Sequence, residues 1–221
     1  MTRRALALSP HLDDAAFSAG ATLAGLAARG WEVTVLTAFT RSMPAPRGFA
    51  LACQLDKGLP AEADYMAFRR AEDRAACAAL GARPNSADDT AARPLAALLA
   101  PLLPRFDLLL APQAVGGHVD HVQAVRALDA VRPATMPVLW WEDFPYVARP
   151  HTHPARPHAA RFAALPAAAL PGDAAAKLAA CAAYATQLGF QFGGEDGLRR
   201  ALDGAAERFR RDGDAALEMA A

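Results

Sequence analysis

Residues 5–39, ALALSPHLDDAAFSAGATLAGLAARGWEVTVLTAF, change periodicity twice. Ala5–Ser9 is a short apolar run behind the basic pair Arg3-Arg4, and it stops at Pro10. From Asp14 to Arg29 the residues Phe17, Ala21, Ala24 and Ala28 recur at helical spacing, with Leu23, Leu26 and Ala27 beside them, until Gly30 closes the element. Trp31–Phe39 (WEVTVLTAF) is rich in β-branched residues and reads as a buried strand. Strand, helix, strand is a βαβ unit, and a parallel sheet follows from it.

Working outward, the same alternation continues. Residues 40–63 form a long connection punctuated by Pro44, Pro46, Gly48, Gly58 and Pro60, of the kind that is usually functional or mobile. Asp64 caps a helix that runs to Leu80, with Gly81 as its stop. Residues 82–93 are polar and leave open whether a strand forms there; Asp88 and Asp89 within them suit turn capping or a substrate hydroxyl. Pro94–Leu103 reads as helix and DLLLAP (107–112) as a short buried strand. A helix from about Val119 to Val131 follows Gly116-Gly117. Val138–Trp141 is a further strand and 142–158 a proline-rich loop. The pattern then predicts a strand at 160–165, a helix at 173–188 and a helix near 195–211. These elements define a three-layer α/β domain over residues 1–212, with 213–221 as a frayed tail.

Composition narrows the function. Lys+Arg 23 balance Asp+Glu 23, so the chain carries no electrostatic footprint for nucleic acid or an anionic membrane. No stretch approaches the ~18 apolar residues of a membrane span, and the N-terminus lacks a signal peptide's apolar region, which points to a cytoplasmic protein without membrane insertion. About a quarter of the residues are alanine, so the apolar bulk is lower than the 53% hydrophobic fraction suggests. Cys53, Cys77 and Cys181 are odd in number and form no CxxC pair, which excludes a disulfide framework and a thiolate zinc site.

Chemistry collects where strands end. In an open parallel sheet, function lies beyond the carboxyl ends of the strands. Pro10-His11-Leu12-Asp13-Asp14 follows the first strand, and Gly116-Gly117-His118-Val119-Asp120-His121 follows DLLLAP. Three histidines and three aspartates therefore sit on loops able to converge. A catalytic zinc takes three His or carboxylate ligands and keeps one position open for water, and the remaining groups can carry protons. Either motif alone could be a helix cap with a surface histidine; both together favour a metal site.

With GATLA after the first motif and VQA after the second, the chain resembles the PIG-L (LmbE-like) family of metal-dependent de-N-acetylases. RRAEDRAACAALGA (69–82), WWEDFPYV (140–147) and KLAACAAYATQL (177–188) extend the likeness. The resemblance implies a Rossmann-like domain without a nucleotide cofactor, in keeping with the missing GxGxxG. It implies that His11, Asp14 and His121 bind zinc (or iron, nickel or cobalt) and that Asp13 is general base and then proton donor. It gives His118 the substrate carbonyl or the departing amine, with Asp120 orienting its ring. Arg69, Tyr146 and Gln187 would bind substrate, although Arg69 and Glu72 could simply form a solvated i,i+3 pair. Trp140, Trp141, Phe144 and Tyr146 divide between pocket and core; His151, His153 and His158 suit a solvated loop. Tyr184 suits the cleft wall or plain packing. The implied substrate is a small N-acetylated molecule, an amino sugar or a glycolipid or other conjugate carrying one. A metal-dependent amidase on a non-sugar N-acyl metabolite and a non-catalytic metal-binding protein are the competing readings. Three positions depart from the family pattern: Ala15 in place of Glu, Ala21 in place of Gly, and Thr186 in place of Ser.

Overall fold

The computed structural model describes residues 2–86 and 94–213. Its strands are β1 (Arg4–Ser9), β2 (Glu32–Thr37), β3 (Arg83–Ser86), β4 (Leu108–Pro112), β5 (Val138–Trp141), β6 (Ala167–Ala168) and β7 (Phe209–Asp212). They form one sheet in the spatial order β3-β2-β1-β4-β5-β7-β6. The first five are mutually parallel, and β7 runs antiparallel between β5 and β6. The chain winds outward from β1 to β3 and then returns to start β4 on β1's other side. The gap between β1 and β4 is therefore a topological switch point, where open α/β sheets place their ligands.

The helices are α1 (Asp14–Ala28), α2 (Gly48–Asp56), α3 (Tyr65–Ala79), α4 (Leu95–Leu99), α5 (Val119–Val131), α6 (Ala159–Ala163), α7 (Ala174–Ala182), α8 (Ala185–Phe192) and α9 (Glu195–Leu202). Strand side chains alternate between two cores. Ala5, Ala7, Leu110, Leu139 and Trp141 pack with Phe17 and Leu23 of α1, Cys77 of α3 and Leu198 of α9. Leu6, Leu8, Leu109, Val138 and Trp140 pack with Leu99 of α4, Val125 and Leu128 of α5 and Phe162 of α6. Both faces of the sheet are covered, which makes three layers.

The alanine excess has a packing reason. α1 is buried almost all round, because α7 lies across the side that faces away from the sheet. A Cβ on Gly25 would stand 2.5 Å from the Pro171 carbonyl oxygen, and one on Gly172 would stand 2.6 Å from Ala21. Only small side chains permit that approach. Glu207, shortly before β7, adds a polar tie: its Oε1 and Oε2 accept the Ala21 and Thr22 N–H groups at 2.8 and 2.9 Å, and Oε1 also meets Lys177 Nζ at 2.8 Å.

Several boundaries differ from the sequence expectation. At 83–86, where the pattern left a strand open, β3 forms and bonds along β2. The expected strand at 160–165 is the short helix α6, with β6 just after it. The helix expected at 173–188 breaks at Tyr184, which α8 uses as its N-cap. The one near 195–211 stops at Leu202, and Phe209–Asp212 instead pairs with β5. Residues 94–103 form only the brief α4 and then a 3-10 turn, and α2 interrupts the 40–63 connection. Asp88, Asp89 and residues 214–221 lie outside the described residues.

Candidate active site

Each half of the site is built where a strand gives way to a helix. After β1, Ser9 Oγ donates to the His11 carbonyl (2.5 Å) and accepts from Ala15 N–H (3.0 Å), bracing the turn into α1. Asp14 opens α1, and its Oδ2 accepts the His11 backbone N–H at 2.8 Å. Asp13 occupies the N-cap position yet makes no side-chain cap bond, so its carboxylate is not spent on the helix end. After β4, Gly116 and Gly117 hold φ values of +91° and +72°. A side chain at Gly116 would stand 2.8 Å from the Tyr146 ring, and at Gly117 2.7 Å from Ala155. Glycine is required at both.

The two motifs meet at the switch point. Asp14 Oδ2 lies 3.3 Å from His11 Nδ1 and 3.2 Å from His121 Nε2. His121 is fully buried, and its Nε2 makes no hydrogen bond. Its Nδ1 lies 2.6 Å from Asp143 Oδ1, while Asp143 Oδ2 accepts the Val115 N–H at 2.9 Å. The acceptor at Nδ1 leaves Nε2 as the ring nitrogen able to coordinate. Ligands about 2.0–2.1 Å from a tetrahedral ion are separated by roughly 3.3 Å, the spacing seen around Asp14. His11, His118 and His121 also offer nitrogens all within 4.8 Å of one another. The residues therefore fit a divalent ion.

The electrostatics point the same way. Burial alone would depress His121, but Asp14 and Asp143 outweigh it and hold it up at about 11. Burial of His11 is likewise overcome, by Asp120 and Asp14, to about 9. Asp14 is driven well below the carboxylate range; its burial acts upward, but the His121 and His11 charges prevail. Without a cation, protons on the imidazoles supply the positive charge that these carboxylates demand.

His118 and Asp120 are arranged differently from expectation. Asp120 Oδ2 sits 2.8 Å from His11 Nε2 and 3.9 Å from His118 Nδ1, so it serves His11 and does not orient His118. His118 is the N-cap of α5, and its Nδ1 accepts the Asp120 backbone N–H at 3.3 Å. A backbone N–H can only donate, so the neutral His118 ring carries its proton on Nε2. Burial, with His11 and His121 nearby, moves His118 below its ordinary value and favours this neutral form.

The expected substrate contacts also change. Arg69 is buried; its guanidinium meets Asp13 Oδ2 at 3.0 Å and Glu72 Oε2 at 3.1 Å. Glu72 in turn accepts from the Thr186 N–H (2.7 Å) and hydroxyl (2.9 Å). Arg69 thus braces Asp13 from a buried position, and its pair with Glu72 is not solvated. Gln187 is buried too, with its amide nitrogen bonded to Tyr65 Oη and Thr186 Oγ1. Tyr184 is core, donating to Asp73 Oδ1 at 2.7 Å. Tyr146 remains half-buried beside the metal-fitting residues, its ring edge-on to His121 with centroids 5.7 Å apart. Trp140, Trp141 and Phe144 are all core. His153 packs on Tyr146 at 4.9 Å, His151 is exposed, and His158 packs on Phe162. A cavity of about 700 Å³, lined by Phe39, Arg41, Leu95, Gln123 and Arg126 among others, adjoins the site through Phe39, whose ring lies 6.3 Å from His11.

Sequence reasoning missed two residues. Asp143 lies two positions beyond β5, an acid at the carboxyl end of a third strand, and that placement was the available signal. Gln191 of α8, whose Nε2 donates to Asp13 Oδ2 at 3.3 Å, carried none.

An open α/β sheet with a histidine–carboxylate centre at its switch point is the class that fold and site define. Within it, the chain belongs to the PIG-L (GlcNAc-PI de-N-acetylase) family, whose model matches residues 6–132. Over 164 residues it is 32% identical to a 2'-N-acetylparomamine deacetylase of Streptomyces fradiae; the match covers 66% of this chain and 58% of that protein, less than two thirds of the relative's length. The solved A40926 pseudoaglycone deacetylase is 30% identical with a TM-score of 0.72, covering 96% of this chain and 98% of its own. The zinc-inhibited form of teicoplanin deacetylase shares the fold at a TM-score of 0.79 and 24% identity, over 96% and 100% of the two chains. Among the described residues no helix is long and apolar enough to cross a membrane.

Proposed function

We propose that the protein is a metal-dependent hydrolase that removes an acetyl group from the nitrogen of an amino sugar, or of a small-molecule conjugate carrying one. The observation that carries this reading is the convergence of His11, Asp14 and His121 beside an Asp13 that caps nothing. The similarity to a 2'-N-acetylparomamine deacetylase and to the A40926 pseudoaglycone deacetylase supports an amino-sugar-bearing substrate over a non-sugar metabolite.

His11, Asp14 and His121 would hold the ion, zinc in the first instance, with iron, nickel and cobalt also suited to this donor set. When bound, the ion supplies Lewis acidity that activates water and polarises the acetyl carbonyl. The chain's own groups do the rest. Asp13 receives both Arg69 and Gln191 on Oδ2, which leaves Oδ1 to take the proton of the attacking water. His118 donates its Nε2–H to the carbonyl oxygen as negative charge develops there. Asp13 then returns the proton from Oδ1 to the amine nitrogen as the C–N bond breaks. The products are acetate and a free amine.

The test is acetate release from a panel of N-acetylated amino sugars and N-acyl amino acids, with protein loaded in turn with zinc, ferrous iron, nickel and cobalt. Release from an amino sugar with at least one metal is the expected result. Release confined to amino acids would favour the non-sugar amidase, and no metal uptake together with no release would overturn the proposal.

A further inference from the structure

We infer that Gln191 recognises the N–H of the scissile amide and thereby makes the site selective for acetamides over acetate esters; the inference rests on the deacetylase reading above. Gln191 faces Asp13 with its amide nitrogen, 3.3 Å from Oδ2. A carboxylate only accepts hydrogen bonds, so the orientation of the Gln191 amide is fixed, nitrogen toward Asp13. Its other end, Oε1, is sealed from solvent and has no hydrogen-bond partner among the described residues. Buried acceptors without partners are uncommon, and one that persists beside a proton-transferring carboxylate calls for a donor that arrives with the ligand. At the reacting centre of an N-acetyl compound the only donor is the amide N–H.

The residue is held for such a task. The Arg149 guanidinium donates to the Gln191 backbone carbonyl. The adjoining Phe192 packs against Phe17 at 5.3 Å and stacks on Phe144 at 6.2 Å. The amide nitrogen stays on Asp13, and the inference puts the substrate nitrogen at Oε1. With the N–H hydrogen taken by Oε1, the nitrogen lone pair that appears on forming the tetrahedral centre is left to receive the Asp13 proton. The C–N bond then breaks, its electrons stay on nitrogen, and the amine departs neutral. An ester oxygen offers no hydrogen at that position and leaves Oε1 unpaired, which a site built around a donor penalises.

The experiment compares the best-hydrolysed acetamido sugar of the panel with the same sugar carrying an O-acetyl group in place of the N-acetyl. Gln191→Met keeps the side chain's length and removes both hydrogen-bonding ends. It should lower kcat/KM on the acetamide about tenfold or more beyond any loss on the ester, with metal content and thermal midpoint unchanged. Gln191→Glu keeps the acceptor and should retain the wild-type preference for amide over ester even where both rates fall. An equal loss on both substrates in Gln191→Met, or a lost preference in Gln191→Glu, overturns the inference while leaving the deacetylase reading intact. If the wild-type protein hydrolyses no acetamide at all, both fall together. Should Gln191→Met fail to fold, Gln191→Glu decides.

Discussion

Asp13 and Asp14 are adjacent in sequence yet serve opposite sides of the cleft: Asp14 faces the imidazoles, and Asp13 faces Arg69 and Gln191. Replacing Asp13 by Asn keeps the shape and removes the basicity, so turnover should fall about 10²–10⁴-fold while metal content is unchanged. Wild-type turnover in that variant would remove Asp13 from the mechanism. Arg69 makes a different prediction. With its guanidinium buried between two carboxylates, Arg69→Met should destabilise the fold by about 3–5 kcal/mol in denaturant unfolding, because two buried charges lose their partner. A change in KM with unaltered stability would restore it to substrate binding. Asp143→Ala removes the acceptor that orients His121 and should weaken metal affinity about 10- to 100-fold, read by competition with a chelating dye. His121→Ala should lose metal and activity together, whereas His118→Ala should keep the metal and lose rate. Equal metal loss in both would make His118 a ligand, which the proximity of its ring to the other two allows.

The residues that converge were readable because they stand in two compact His–Asp motifs, each on the stretch that leads from a strand into a helix. Asp143 had only its place past β5 to mark it and Gln191 had nothing, since their roles exist only once β5 and α8 are brought beside α5 and α1. His118 and Asp120 show a subtler limit: the motif names both, but which histidine Asp120 serves depends on where His11 arrives from β1.

Among the elements, α1 carries Asp14 and tolerates little added bulk at Gly25. Gly25→Ala would drive a methyl into the Pro171 carbonyl, a backbone atom that cannot swing aside. The expected cost is about 1–3 kcal/mol from overpacking, measured as a lowered denaturant midpoint. The alanine-rich segments explain why element boundaries beyond residue 160 were misread. Alanine favours helix without marking a face, so nothing in the pattern distinguished α6 from a strand or announced the break at Tyr184. Nor did it reveal that 209–212 would pair with β5. The early βαβ unit, with its change from one period to the other, was read correctly for the opposite reason.

At the level of the whole molecule, metal and proton compete for one place. His11 and His121 titrate near 9 and 11 without a cation, above the ordinary value of about 6.5, because the folded state gathers carboxylates around them. Their protonation stabilises the metal-free fold fully below about 6.5. That contribution is lost as pH rises through about 9 for His11 and about 11 for His121. The metal-free protein should therefore unfold at lower denaturant at pH 9.5 than at pH 7. At neutral pH, metal binding should release protons, measurable by calorimetry in buffers of differing ionisation enthalpy. No proton release would mean that the ion does not contact these rings.

Glu207 satisfies backbone N–H groups of Ala21 and Thr22, which precede it by 186 and 185 residues. The helix that presents Asp13 and Asp14 is thus completed by chain made much later in translation, as is the edge of β5 that β7 covers. On the ribosome the motif SPHLDD leaves the exit tunnel before residues 207–212, so α1 lacks its Glu207 tie until they follow. The nascent chain should gain its full resistance to protease only after that segment is released, measured by pulse proteolysis of stalled chains.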